Sequence, residues 1–415
     1  MKKVLFLTKS FPGFSKSASV LCTKRLIESM ATDSNYEVHC LCTKGKNENY
    51  EDFCRGVYIH RVKKTLWKNY YDSKDNNPKL QSILLKIQKL LTFLIFPNID
   101  PFMLRTYNKF AIYLQKKFSY DIVIAEHHGY TTLMTGNILK QRFPQIQFYP
   151  ILWDPILGQT KPNFLPEWFV DKRISSLEDI TNKTADNIFS IQAAKSIYSD
   201  ITDTSYGKRV YFDIPGILPP HIGVETKYMS LLNKGFINIT FSGLLGAPLR
   251  DPAYIIRLLN STSFANKINV IFFCKGIKKH EMHSLKDTFK GNIHFHSYIP
   301  IEELYTIYHH SDFLLNISNI NANMTPSKIF EYMSYGKPII SSYVTDGDAA
   351  KKYLDNYPES ISIDQKNNFE ENVSILETFL RKNHELVTFD LVKSLFPLNS
   401  PDYFVKYISK IQIQS

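Results

Sequence analysis

The sequence predicts an α/β protein made of two doubly wound domains, and three observations carry that expectation. Short apolar runs alternate with stretches of helical spacing through both halves, the pattern of repeated βα units. The runs show no polar alternate face, which suits parallel strands covered by helices on both sides. The length of 415 residues exceeds what one core of ordinary size organises. Between Asp213 and Lys234, Pro215, Gly216, Pro219, Pro220 and Gly223 interrupt regular structure. The expected division is an N-terminal domain over 1–215, a linker over 216–234, and a C-terminal domain over 235–395. A final segment over 396–415 is read as a helix packing back on the first domain.

In the first half Val4–Thr8, Val38–Thr43, Val57–Val62, Ile122–Ala125, Phe148–Leu152 and Ile188–Ile191 read as strands. Ser19–Met30, Pro101–Phe118, Thr131–Arg142 and a stretch around Arg173–Ala185 read as helices between them. In the second half the strands are Ile237–Ser242, Val270–Phe273, Ile293–His296, Phe313–Ile317, Pro338–Ser342 and Ser360–Ile363. They alternate with helices near Ala253–Leu259, Met282–Lys290, Ile301–His309, Lys328–Ser334 and Ala349–Tyr353.

Composition narrows the class. Hydrophobic residues make up 44% and charged residues 21%, with 16 Gly and 20 Pro, which argues against collagen-like and disordered chains. Five cysteines without zinc or disulfide spacing read as reduced thiols serving as small hydrophobes, so a reducing, cytoplasmic compartment is expected. The apolar run Val4–Leu7 is too short for a signal peptide, and the best spanning candidate, Leu80 to Phe96, is interrupted by Lys86 and Lys89.

Charge is uneven. The first 120 residues hold 21 Lys and Arg against 9 Asp and Glu, whereas the remaining residues hold 29 against 30. Lys79–Phe96 spaces its leucines and isoleucines at three and four with lysines off the stripe, which makes an amphipathic basic helix. With Trp67, Tyr70 and Tyr71 upstream and Arg61, Lys63, Lys64 and Lys68 nearby, this segment suits an anionic membrane interface. An ordinary core-facing helix with a solvated basic face fits it equally well. No zinc-finger spacing, RNP-type aromatic motif or basic heptad points to nucleic acid.

The most informative stretch is Asn323-Met-Thr-Pro-Ser-Lys-Ile-Phe-Glu-Tyr-Met-Ser-Tyr-Gly-Lys-Pro-Ile-Ile340. Thr325 can cap a helix opening at Pro326, leaving the N–H groups of Ser327 and Lys328 able to attract phosphate. Glu331, one turn on, then presents a carboxylate to a vicinal diol such as a ribose. This run resembles the glycosyltransferase group 1 family, the retaining, nucleotide-sugar-dependent enzymes of the GT-B fold, two Rossmann-like domains with a cleft between them. The resemblance implies that Glu331 binds the donor ribose and that Thr325, Ser327 and Lys328 surround the diphosphate and sugar. The family pattern pairs two Glu separated by seven residues, and Asn323 stands at the first position, an amide that hydrogen-bonds hydroxyls without supplying charge.

A second match is Phe241–Pro252, where a strand, a Gly turn and a basic residue hold the leaving diphosphate in the family. That role falls to Arg250, with Gly243 allowing close approach. The family's other cation has Leu244 in its place, and Lys275 is the candidate substitute. After the strand Ile122–Ala125 come Glu126, His127 and His128, at the position where a family histidine contacts the donor sugar; both histidines stay candidates, and Glu126 can orient either. The loop Gly13-Phe14-Ser15 corresponds to the family's acceptor loop, and Asp154, after Trp153, is a further sugar-binding candidate, with a simple turn as its alternative.

No Asp-x-Asp metal site is expected, and the resemblance implies no metal or other cofactor, the nucleoside diphosphate sugar being the donor substrate. The expected activity is hexosyl transfer with retention to a glycan or lipid-linked glycan acceptor, at the inner face of the plasma membrane, in polysaccharide biosynthesis of the bacterial surface type. A sugar-nucleotide 2-epimerase of the same fold, or a non-catalytic GT-B partner module, are the alternatives.

Overall fold

The computed structural model describes residues 1–11, 18–45, 47–64, 96–97, 101–127, 130–156, 165–198, 208–221, 225–246, 250–319 and 326–414. The chain forms two compact units, one of Met1–Pro215 with Pro401–Ser415, the other of Gly216–Ser400. Residues 216–234, expected as a linker, therefore belong to the second unit. The Ile217 N–H donates to the Asn399 carbonyl at 3.0 Å, and the Leu218 N–H to Ser334 Oγ at 3.2 Å. The C-terminal helix Pro401–Gln414 packs on α1 (Ala18–Ala31) in the first unit.

Unit 1 holds β1 (Lys2–Leu7), β2 (Tyr36–Thr43), β3 (Glu51–Cys54), β4 (Val57–Val62), β5 (Ile122–Glu126), β6 (Gln147–Leu152), β7 (Ile188–Ile191) and β8 (Arg209–Phe212). Their order in the sheet is β3-β4-β2-β1-β5-β6-β7-β8, parallel throughout except β3 against β4. Central β1 explains why the strands lack alternation. Leu5 and Leu7 face a core shared with α2 (Pro101–Phe118) and α3 (Thr131–Arg142), while Val4 and Phe6 face one shared with α1 and the C-terminal helix. Both faces are apolar because both are covered. Gly136 lets α3 lie directly on β6, since a Cβ there would sit 2.3 Å from Phe148 Cε2. Helices α4 (Glu167–Thr184) and α5 (Lys195–Tyr198) complete the unit.

Unit 2 holds β9 (Ile237–Leu244), β10 (Ile268–Lys275), β11 (Asn292–His296), β12 (Phe313–Ile317), β13 (Ile339–Tyr343) and β14 (Ser360–Asp364), all parallel in the order β11-β10-β9-β12-β13-β14. The helices are α6 (Ala253–Ser261), α7 (Lys279–Thr288), α8 (Ile301–His310), α9 (Lys328–Ser334), α10 (Lys351–Leu354), α11 (Phe369–Arg381) and α12 (Phe389–Leu395). Ile239 and Phe241 of β9 share a core with Ile255, Ile256 and Leu259 of α6 and Val373, Leu376 and Leu380 of α11.

One expectation about the first unit changes. Arg61, expected on a membrane-facing basic surface, is only 2% exposed: its Nε lies 3.2 Å from Glu48 Oε2, and Nη1 donates to the Asn49 carbonyl at 2.9 Å. The β4 strand turns its side chain inward, where two acidic neighbours, Glu48 and Asp52, neutralise it. The proposed basic helix is not among the described residues, which omit 79–95. All five cysteines are free thiols, four of them buried.

A buried histidine pair bridges β2 and β4. His39 Nδ1 and His60 Nε2 are 3.0 Å apart, stacked with each other and packed by Tyr58, Phe118 and Tyr120. Burial holds His39 below its ordinary value and lowers His60 to about 4, with neighbouring His39 and Lys117 adding to the effect on His60 and Glu51 opposing it. Well above pH 6.5 both folded and unfolded chains carry neutral imidazoles. As pH falls from about 6.5 towards 4, the unfolded chain binds a proton that folded His60 refuses, so stability drops by up to about 3 kcal/mol. Urea unfolding midpoints measured across that window should fall in the native protein and fall distinctly less in His60→Gln.

Candidate functional site

The clustered cations of unit 2 lie at the carboxyl ends of its strands. Arg250 follows β9 and shares two backbone hydrogen bonds with Gly246, at 2.9 and 3.1 Å. Its guanidinium lies over Gly243, where an added Cβ would stand 3.7 Å from Nη1. Among the described residues no carboxylate forms an ion pair with Arg250, and its buried Nε has no hydrogen-bond partner. Burial lowers its pKa while Tyr332, Tyr298 and Asp348 oppose the shift, and an arginine so placed remains cationic. Lys275 ends β10, is exposed, and sets its ammonium 5.2 Å from the centre of the Tyr298 ring. Burial raises Tyr298, and the charges of Lys328 and Arg250 act against that rise. Leu244, standing where the family places a cation, is exposed and supplies none.

The 323–340 segment divides between outside and inside the described residues. Asn323 and Thr325 lie outside them. The helix starts at Lys328, not Pro326; Ser327 is its N-cap residue in helical backbone geometry without a side-chain cap bond. Glu331 also differs from expectation. Its side chain is 3% exposed and pairs with Lys328 Nζ at 2.9 Å, one turn back on the same face. Burial pulls the Lys328 ammonium down, but the Glu331 and Tyr332 charges outweigh it and hold the pKa above its ordinary value.

Much of the motif is structural. The Tyr332 hydroxyl accepts the Ser242 N–H at 3.1 Å, fixing α9 to the end of β9 near Arg250. Tyr335 donates to the His221 carbonyl at 3.1 Å. Gly336 ends the helix at φ +65°, and a Cβ there would meet the Val387 carbonyl oxygen at 2.2 Å. Tyr298, just after β11, and Tyr332, on α9, thus join the cationic cluster.

In unit 1 the carboxyl end of β5 carries a second polar cluster. Glu126 is 1% exposed and accepts from Thr8 Oγ1 at the end of β1, with Thr23 and the Lys9 backbone as further partners. Burial raises its pKa against these hydrogen bonds. The Trp153 indole N–H donates to Thr23 Oγ1 at 2.8 Å. Trp153 is therefore a buried anchor of α1 to the end of β6, while Asp154 after it is exposed. His127 follows β5 with its N–H bonded to the Ile151 carbonyl at 2.8 Å and its ring 5.1 Å from that of Tyr130. His128 lies outside the described residues, as do Gly13, Phe14 and Ser15. Thr8 and Thr23 were not legible as site residues, because they meet Glu126 only through the sheet order.

Asp346-Gly347-Asp348 does have Asp-x-Asp spacing. Asp348 is committed to the Ala350 and Lys351 N–H groups at 3.0 and 3.1 Å, and Asp346 to Lys366 at 2.9 Å. Among the described residues no three His, Cys, Asp or Glu side chains gather around a common point for a metal.

Two α/β units, each built on a mainly parallel sheet with polar groups at its strand ends, have the make-up of the GT-B fold, and the comparisons agree. Residues 257–388 match the family model described as glycosyl transferase-like, and this stretch includes Lys275, Ser327, Lys328 and Glu331. The resemblance to group 1 glycosyltransferases read from residues 323–340 thus holds. Sucrose-phosphate synthase from Thermosynechococcus elongatus superposes with a TM-score of 0.64 at 11% identity, covering 100% of both chains. Trehalose-6-phosphate from E. coli bound with UDP-2-fluoro glucose gives 0.62 at 12% identity over 99% of this chain and 98% of that one. A putative UDP-N-acetylglucosamine 2-epimerase from Listeria monocytogenes gives 0.56 at 11% identity over 99% and 96%. At these identities the likeness establishes the fold. No curated protein sequence matches the chain.

Proposed function

We propose that this GT-B protein is a retaining glycosyltransferase that moves a hexose-type sugar from a nucleoside diphosphate to a hydroxyl of a glycan acceptor. The observation that carries the reading is Arg250, partly buried, without a carboxylate partner among the described residues, and placed over Gly243 beside Tyr298 and Tyr332. A cation held this way is a preorganised site for the charge that grows on a leaving diphosphate. Lys275 supplies the charge that Leu244 does not, and Ser327, Lys328 and Thr325 complete the diphosphate end. Glu331 receives the ribose hydroxyls with Lys328 fixing its carboxylate, and Asn323 takes a donor-sugar hydroxyl. In unit 1, His127 or His128 contacts the donor sugar, while Gly13, Phe14, Ser15 and Asp154 serve the acceptor.

The acceptor is a lipid-linked glycan, and the protein works as a peripheral enzyme at the cytoplasmic face of the membrane in polysaccharide assembly. The basic excess of the first 120 residues supports this reading. Among the described residues no helix is long and apolar enough to cross a membrane.

Calorimetric titration with UDP, GDP and ADP tests the donor site. Glu331→Gln should weaken the preferred nucleotide by about 10- to 150-fold, the loss of charge-assisted hydrogen bonds worth about 1.5–3 kcal/mol. Gln keeps the side chain's size in this buried position, so a thermal melt separates binding loss from unfolding. Unchanged affinity in a folded variant rejects the assignment.

A further inference from the structure

The outer face of α2 has a composition that packing does not explain. Met103, Tyr107, Ala111 and Leu114 point into the unit 1 core. On the other side Phe102, Arg105, Thr106, Lys109, Tyr113, Lys116 and Lys117 are all exposed. At 100° per residue these seven positions fall within an arc of about 120°. The arc holds four cations, and no acidic residue occurs anywhere in the helix sequence. Among the described residues none of the four forms an ion pair; Lys117 instead lies 5.9 Å from the centre of the Tyr113 ring and 5.0 Å from that of Phe118. Phe102 is 66% exposed and Tyr113 is 51% exposed, so two large rings stand in water among the four cations. Thr106 also borders a 620 Å³ groove between β4 and α2, lined further by Tyr50, Glu51, Arg61, Val62, Lys63 and Phe110.

We infer that this face of α2 is a docking surface for an anionic lipid bilayer. The inference rests on the proposed peripheral association and adds the surface that makes it. Cations spread along one helix face meet headgroup charge together, and the two aromatic rings between them suit the interfacial layer where amphipathic rings partition. A folded acidic protein would complement the charge, but three of the four cations are lysines, the residue type that protein–protein interfaces deplete. Nucleic acid is disfavoured because the face has no groove-reading motif.

The test is co-sedimentation of the full chain with vesicles of phosphatidylcholine alone and of equal parts phosphatidylcholine and phosphatidylglycerol. The native protein should bind only the anionic vesicles and should leave them as salt rises. The variant Arg105→Gln/Lys109→Gln/Lys116→Gln/Lys117→Gln should lose at least about tenfold in partition coefficient. Phe102→Ser/Tyr113→Ser should bind the anionic vesicles more weakly than the native protein at low salt. These exposed substitutions leave the core intact, which circular dichroism checks. Native binding that the fourfold variant retains, a native protein that ignores anionic vesicles, or equal binding to single-stranded DNA each overturns the inference. Donor turnover measured on a soluble acceptor in the same samples reports separately on the transferase reading, because none of these residues belongs to the donor site.

Discussion

Arg250→Ala is expected to lower kcat by about 10²–10³, the effect of removing one preorganised group from a site of developing charge. The reason lies in where the guanidinium is held. The Gly246 bridge fixes the loop, Gly243 leaves room beneath the fork, and Tyr332, tied to the Ser242 N–H, sets the wall beside it. Such a group is in place before the glycosidic bond breaks, so it favours the transition state over the bound donor. KM for the donor should therefore change less than kcat. Arg250→Lys should recover part of the rate, since an ammonium restores charge but not the planar two-pronged fit to phosphate oxygens. Steady-state kinetics on the three proteins checks this, and a change confined to KM rejects the transition-state role.

The largest expected effect on stability comes from the other unit. Glu178 on α4 and Arg209 on β8 form an ion pair whose side chains are each 1% exposed. The guanidinium also donates to Ser190 Oγ at 3.1 Å and lies 3.8 Å from the centre of the Tyr198 ring. Burial raises Glu178 despite the neighbouring Arg209, so the pair is held together by geometry in a place hostile to either charge alone. Glu178→Ala strands the guanidinium and should cost about 3–5 kcal/mol, whereas the double change Glu178→Leu/Arg209→Met should return most of that loss. Urea unfolding measures both. A single variant that loses less than about 1 kcal/mol would show the buried arginine to be satisfied without its carboxylate.

The strands that were legible in the sequence are those whose both faces are apolar, such as β1, β5 and β12, because parallel strands under helices leave a continuous run. Two strands escaped for physical reasons. β3 is a four-residue, mostly exposed edge strand of sequence Glu-Asp-Phe-Cys, paired antiparallel to β4, and nothing apolar marks it. β8 begins with Arg209, whose charge hides a buried strand until its partner Glu178 is known. Helix α11 carried a readable signal in the Asn368 cap, which accepts the Glu370 and Glu371 N–H groups, and in Val373, Leu376 and Leu380.

Legibility of the site followed the same logic. Arg250, Lys275, Lys328 and Glu331 announced themselves through motif and residue type. The Lys328–Glu331 pair was implicit in their spacing of three, yet its burial depends on Tyr308 and Tyr332, which come from two different helices. The Glu126–Thr8–Thr23 cluster could not be read, since β1, α1 and β5 meet only through the sheet order. Arg61 shows the converse: a basic residue among lysines reads as surface until the acidic side chains of Glu48 and Asp52 are seen to enclose it.

Proton NMR of the purified protein incubated with its preferred nucleotide sugar and a glycan acceptor tests the central claim most directly. The account predicts free nucleoside diphosphate together with a new glycoside whose anomeric configuration matches that of the donor, lost in Arg250→Ala. Conversion of the donor to its C2 epimer with the nucleotide still attached, or no acceptor-dependent nucleotide release from any donor that binds, would contradict it.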